Sequence, residues 1–184
     1  MRGLIATFRR GRGHDQIAVV RSDATQLSWR FPTYGGTVPH DLIHLVVEAG
    51  FGLREAFWGL VDAGADPAHI NAAAARLERD RFSGFGENRR ELLMAEGLAA
   101  VHWFDTAIED ADLCDVIAER CASFEVEAPT TTNPERVAAV RAAITVVRAR
   151  WRRCAPNGQL ALGFCVDDPE ATLDEVLLKH SECG

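Results

Sequence analysis

Apolar and polar residues change their rhythm twice along this chain. Residues 4–9 and 16–21 are short runs rich in apolar and β-branched side chains, and in 26–31 Leu27, Trp29 and Phe31 alternate with polar neighbours, the period of a half-buried strand. The segments between them, Arg10-Gly11-Arg12-Gly13-His14-Asp15 and Ser22-Asp23-Ala24-Thr25, have turn chemistry, so the pattern predicts a three-stranded antiparallel meander. After Pro32 and the Gly35-Gly36 loop the spacing becomes helical. One helix is predicted from Pro39 to a stop at Gly50 or Gly52, a second over 53–63, and a third from the cap Asp66-Pro67 to 77, with proline at the first helical position and glycine past the last. A loop over 79–87 precedes a long helical region, 89–124, interrupted near the acidic stretch 105–112. Asn133-Pro134 then opens a helix whose apolar positions Val137, Val140, Ile144, Val147 and Trp151 recur every three or four residues, the stripe of an amphipathic helix.

The rhythm returns to alternation at Leu160, Leu162, Phe164 and Val166, beyond the turn Asn157-Gly158, and Asp167-Asp168-Pro169 introduces a last helix. These elements predict an α+β fold, a small antiparallel sheet of three N-terminal strands plus a late fourth, packed on a predominantly helical body. The expected organisation is a single domain over 1–184: meander and glycine-rich loop at 1–36, helical body at 37–153, late strand and C-terminal helix at 154–184. A chain of this size buries a core without staples.

Composition narrows the function classes. An apolar fraction of 47% with 26% charged residues is that of a globular protein, and the net charge of −7 argues against nucleic acid and anionic membranes as partners. Arg148, Arg150, Arg152 and Arg153 flank Trp151, and Arg9, Arg10, Arg12, Arg21 and Arg30 enrich the predicted sheet. Cations are also favoured at a helix C-terminus and on a solvated strand face. The five cysteines, Cys114, Cys121, Cys154, Cys165 and Cys183, include no C-x-x-C pair, which argues against a disulfide framework and a zinc knuckle and for reduced, buried thiols. No run approaches the ~18 apolar residues of a membrane span, and the N-terminal apolar run is too short for a signal peptide. A cytoplasmic location is expected.

The densest chemistry lies in Pro39-His40-Asp41-Leu42-Ile43-His44-Leu45-Val46-Val47-Glu48. On a helix His40, His44 and Glu48 share one stripe at i, i+4 and i+8, with Asp41 beside them. His-x-x-x-His is how one helix supplies two imidazoles to a divalent ion, zinc first among the candidates. His40-Asp41-x-x-His44 looks like the H-E-x-x-H signature of zinc metallopeptidases with Asp in place of Glu, a likeness of five residues in which the general base is a methylene shorter. Glu48 lies about 12 Å along the helix from His40, too far to share the ion, so its expected part is to orient His44 or bind a second ion. The third ligand must come from elsewhere. His102, one turn from Asp105, is taken as the metal ligand, with Glu55, Glu91 and Glu96 as further candidates. Asp41 and Glu48 are taken as the acid–base pair.

Residues 29–58, with Phe31-Pro32-Thr33-Tyr34-Gly35-Gly36, Pro39-His40-Asp41-Leu42 and Phe57-Trp58-Gly59, resemble a group of uncharacterised bacterial proteins that carry a PHDL-x-H-x-x-VE segment. The resemblance implies a bacterial origin and a shared site, and supplies no activity. Two functional expectations follow. One is a divalent-metal or acid–base site on the His40–Glu48 helix, used for hydrolysis by a metal-activated water. The other is a non-enzymatic interaction module without metal, holding a protein partner or a second copy through its sheet edge or a Phe57-Trp58 surface. The plain alternative for the helix is that Asp41 caps it and that the histidines are ordinary half-buried residues.

Overall fold

The computed structural model describes residues 2–32, 37–76 and 80–181. Tyr34, Gly35, Gly36 and Cys183 lie outside them, and with them the expected glycine-rich loop.

Strands β1 (Gly3–Arg9), β2 (His14–Val20) and β3 (Gln26–Pro32) form the antiparallel meander, and the late strand β4 (Gln159–Cys165) pairs antiparallel with β1. The sheet order is therefore β3-β2-β1-β4, with β1 central. Alternation sets its two faces: Leu4, Ala6, Phe8, Ile17, Val19, Leu160, Leu162 and Phe164 point into the core, because strand residues two apart share a face. On the outer face the cross-strand partners Ile5 and Val20 are exposed. Asn157, in the left-handed region, and Arg10 join the loops beside β1 and β4 through Asn157 N–H to Arg10 O and Arg10 N–H to Gly158 O.

Among the described residues there are seven helices, of which α1, α6 and α7 pack on β4: α1 (His40–Phe51), α2 (Phe57–Asp62), α3 (Pro67–Ala74), α4 (Arg89–Ala99), α5 (Asp110–Ser123), α6 (Pro134–Arg153) and α7 (Pro169–Ser181), with a 3-10 segment, Ser83–Asn88, before α4. The α+β architecture is the one the alternation pattern predicts. At its centre stands α1, which touches α2, α4, α6, α7 and β4. Every residue from Leu42 to Phe51 is buried, the polar His44 and Glu48 among them, as expected of a helix packed on all sides by other elements. Gly50 is what lets α6 approach it, since a Cβ there would strike Val140. The helix ends at Gly52, in the left-handed region at φ 73°, where Gly52 N–H and Leu53 N–H close on Ala49 O and Glu48 O, the usual glycine-terminated C-cap.

Two predicted helices are shorter than their apolar pattern suggests. The second starts at Phe57, because 53–56 form a turn in which Ala56 is extended and Gly59 sits against the Arg54 carbonyl so closely that any Cβ would collide with it. The long region 89–124 is two helices, parted at 100–109 across the interruption expected near 105–112 and beginning earlier than that stretch. The Trp103 indole N–H caps the end of α4 at Leu98 O (2.9 Å), Asp105 accepts from Ala107 N–H in the following turn, and Asp110 and Asp112 open α5, where acidic side chains meet the free N–H groups and the helix dipole.

Candidate metal centre

The site forms where α1 meets α4. The N-terminal turns of α1 carry His40 and His44, and α4 brings Glu96 against them. The Nε2 atoms of His40 and His44 are 3.1 Å apart, with their rings edge to face at 4.6 Å between centroids. Glu96 faces both, Oε1 at 3.8 Å from His44 Nε2 and Oε2 at 3.9 Å from His40 Nε2. All three ligand atoms lie within 4.8 Å of one another. Two imidazole nitrogens bound to one tetrahedral zinc stand about 3.3 Å apart, so the histidine pair is already at ligand spacing. Glu96 would have to approach by about half an ångström. The group can hold a metal ion.

Behind these three side chains the polar groups are paired. His44 Nδ1 pairs with Glu48 Oε1 at 3.1 Å, and Glu48 Oε2 accepts the Trp58 backbone N–H at 2.9 Å. The Glu48 side chain is wholly buried, so both oxygens need partners, and both have them. Trp58 is itself buried and its indole N–H donates to Asp41 O at 3.2 Å. One tryptophan thus holds α1 near both ends. Asp41 does not cap the helix; its Oδ2 accepts the Trp29 indole N–H at 3.1 Å. Phe57 packs among Trp29, Trp58 and His44, with ring centroids 6.2, 5.1 and 6.1 Å away. His40 is the most open of the three, its side chain 59% exposed against 22% for Glu96 and 6% for His44.

The charges are strongly coupled. Burial opposes protonation of His44, but the hydrogen bond to Glu48 and the carboxylates of Glu96, Glu48 and Asp41 outweigh it, and the pKa rises to about 9. Protonated His44 donates from Nδ1 to Glu48 and from Nε2 to His40, which places a proton where an ion would sit. Burial raises the pKa of Glu48, against the pull of the His44 contact. It raises that of Asp41 likewise, against the charge of His44 and the Trp29 hydrogen bond. Glu96 goes the other way: burial is overcome by its His40 contact and by the charges of His44, His40 and Arg81, and its pKa is lowered.

Several site expectations change. His102, taken as the third metal ligand, is exposed in the turn beyond α4 and is not in the group, because α4 stops at Ala99 and leaves it off the helix. Glu96, a further candidate on sequence grounds, occupies that place. Glu55 and Glu91 meet each other instead, through Glu55 N–H to Glu91 Oε2. Phe57 and Trp58, offered as a partner surface, are buried against the site and present no such surface. Among the described residues no helix is long and apolar enough to cross a membrane. Comparison of the chain with family models, with curated proteins and with solved structures returned no match.

Proposed function

We propose that His40, His44 and Glu96 bind a divalent metal ion, zinc first, and that the chain is a metal-dependent hydrolase. The observation that carries this reading is the pairing of His44 Nδ1 with buried Glu48 while Nε2 faces His40 and Glu96. A carboxylate on the far nitrogen is the partner that metal-ligating histidines have, fixing the tautomer and raising basicity. Two imidazoles and one carboxylate are the protein ligands of a catalytic zinc, which keeps an open position for water. When bound, such an ion lowers the pKa of that water towards neutrality. Here His40, at the solvent edge, is on the side from which water and substrate arrive. Glu48 acts as a positioning residue. Asp41, a carboxyl with a raised pKa within charge range of the ligands, is assigned the acid–base role proposed from its place in the sequence.

Elemental analysis of untagged protein purified without chelator tests the proposal. Near-stoichiometric zinc, manganese, iron or nickel is expected in the wild type, and its loss is expected in His40→Ala/His44→Ala and in Glu96→Gln. Wild-type protein that holds no metal and gains no thermal stability from added ions overturns it.

A further inference from the structure

Among the described residues nothing buries the outer face of the sheet: Ala18, Ser28 and Ala161 at its centre are exposed, and the cross-strand partners Ile5 and Val20 are 53% and 40% exposed. One open face is ordinary for an antiparallel sheet; its charge is not. The pairing lays out three rows. Arg9 stands beside Gln16 and Gln159, and Gln16 beside Arg30. Thr7, Ala18, Ser28 and Ala161 make the next row, and Ile5 and Val20 lie in the third with Gln26 and Gly163. No carboxylate stands in these rows, in a chain that carries 27 Asp and Glu.

The two ends of the face differ in sign. Past the arginine row come Arg10 and Arg12 in the β1–β2 turn, and Arg10 Nη1 donates to Cys154 O at 3.0 Å, which brings the exposed Arg152 and Arg153 of α6 to the same end. Asp15 there is buried and accepts the Gly11 N–H at 2.9 Å. At the opposite end Asp23 in the β2–β3 turn, Asp167 and Asp168 after β4, and Glu175 on α7 are exposed. Glu175 Oε2 lies 3.5 Å from where a Cβ on Gly163 would be, beside the face itself. The arginines at this end are engaged: Arg21 donates from Nε to Val61 O and from Nη2 to Ala65 O, and Arg2 Nε lies 3.7 Å from Asp167 Oδ1.

A face with a basic end, an acidic end and a small uncharged centre complements itself. A two-fold axis that reverses strand direction lays the basic end of each copy on the acidic end of the other. Small side chains at Thr7, Ala18 and Ala161 let two sheets reach the separation of about 10 Å at which sheets stack, with Ile5 and Val20 enclosed between them. We propose that this face is a homodimer interface whose occupant is the same face of a second copy. A nucleic-acid strand laid along it would meet repulsion at Asp23, Asp167 and Glu175. Four strands of seven residues span about 19 by 23 Å. That is less than the roughly 800 Å² per partner of a standard interface, so the expected Kd is on the order of 10 µM. The interface does not rest on the metal reading.

Sedimentation velocity of the full chain from about 1 to about 300 µM, a range that brackets this Kd, tests it. A monomer–dimer equilibrium is expected, weakened at least about threefold between about 0.1 M and about 1 M salt, as the screening length falls from about 10 to about 3 Å. Ala18→Arg, which sets a long cation in the small central row, is expected to weaken the dimer at least about tenfold, and Arg9→Glu/Arg30→Glu about tenfold. If Ala18→Arg fails to fold by circular dichroism, the arginine variant carries the comparison. A monomer at every concentration, association that runs past a dimer, or a dimer indifferent to salt or to these variants overturns the proposal. So does a monomer that binds a labelled oligonucleotide through Arg9 and Arg30, which would give the face to nucleic acid instead.

Discussion

Glu48 accepts hydrogen bonds from two donors, His44 Nδ1 and the Trp58 backbone N–H, and a glutamine has only one acceptor oxygen to offer them. In Glu48→Gln that oxygen can satisfy Trp58, and the amide NH2 then faces Nδ1 and forces the tautomer with its proton on Nε2, where the metal binds. Metal affinity is expected to fall about 10–100-fold while the protein stays folded, read by competition with a chromophoric chelator. An affinity equal to the wild type's would sink the orienting role. The His44 proton makes a second prediction. Its folded pKa of about 9 lies above the ordinary 6.5, so its contribution to stability is complete below about 6.5 and is lost as the pH rises through about 9. The melting temperature of metal-free protein should decline across that window. Metal uptake must release the same proton, so affinity should rise about tenfold per pH unit there and flatten above it; titrations at several pH values check both slopes.

At the scale of elements, the position of Glu96 depends on how closely α4 and α5 approach. Gly97 lies against the α5 backbone, where a Cβ would sit 3.1 Å from Cys121 Cα and 3.3 Å from its Sγ. Gly97→Ala should cost about 1–3 kcal/mol by overpacking and weaken metal binding, since the residue beside it carries the carboxylate. Gly84→Ala, with nothing within 4 Å, should change neither, and chemical denaturation with metal titration distinguishes them. What the sequence revealed follows the same division between local and tertiary causes. The strands and α6 were legible because Leu27, Trp29 and Phe31, or Val137, Val140, Ile144, Val147 and Trp151, express one period against one face. The stripe of His40, His44 and Glu48 was legible for that reason too. The break between α4 and α5 was legible from the acidic stretch near 105–112, but its start after Ala99 was not, because the capping indole of Trp103 reads as one more apolar helix residue. Nor could spacing select Glu96 from the available carboxylates, because the choice is made by α4 packing on α1.

For the whole molecule, a bound ion would tie α1 to α4 across the intervening α2 and α3. Metal at about 100 times its Kd should stabilise the native state by about 2.7 kcal/mol, about 5–10 °C in melting temperature for a chain of this size; differential scanning calorimetry with and without chelator measures it, and His44→Ala should abolish the shift. The sheet imposes a constraint of another kind. Its central strand β1 ends at Arg9, yet the neighbour that covers one edge of it begins only at Gln159. At the roughly 5–20 residues per second of protein synthesis, the ribosome delivers that neighbour many seconds after β1 has left the exit tunnel. During this interval the nascent meander carries an open strand edge and the uncovered side chains of Leu4 and Phe8, the kind of surface that pairs with other chains. A message truncated before Gln159 should therefore yield aggregate or chaperone-bound product rather than a smaller folded protein.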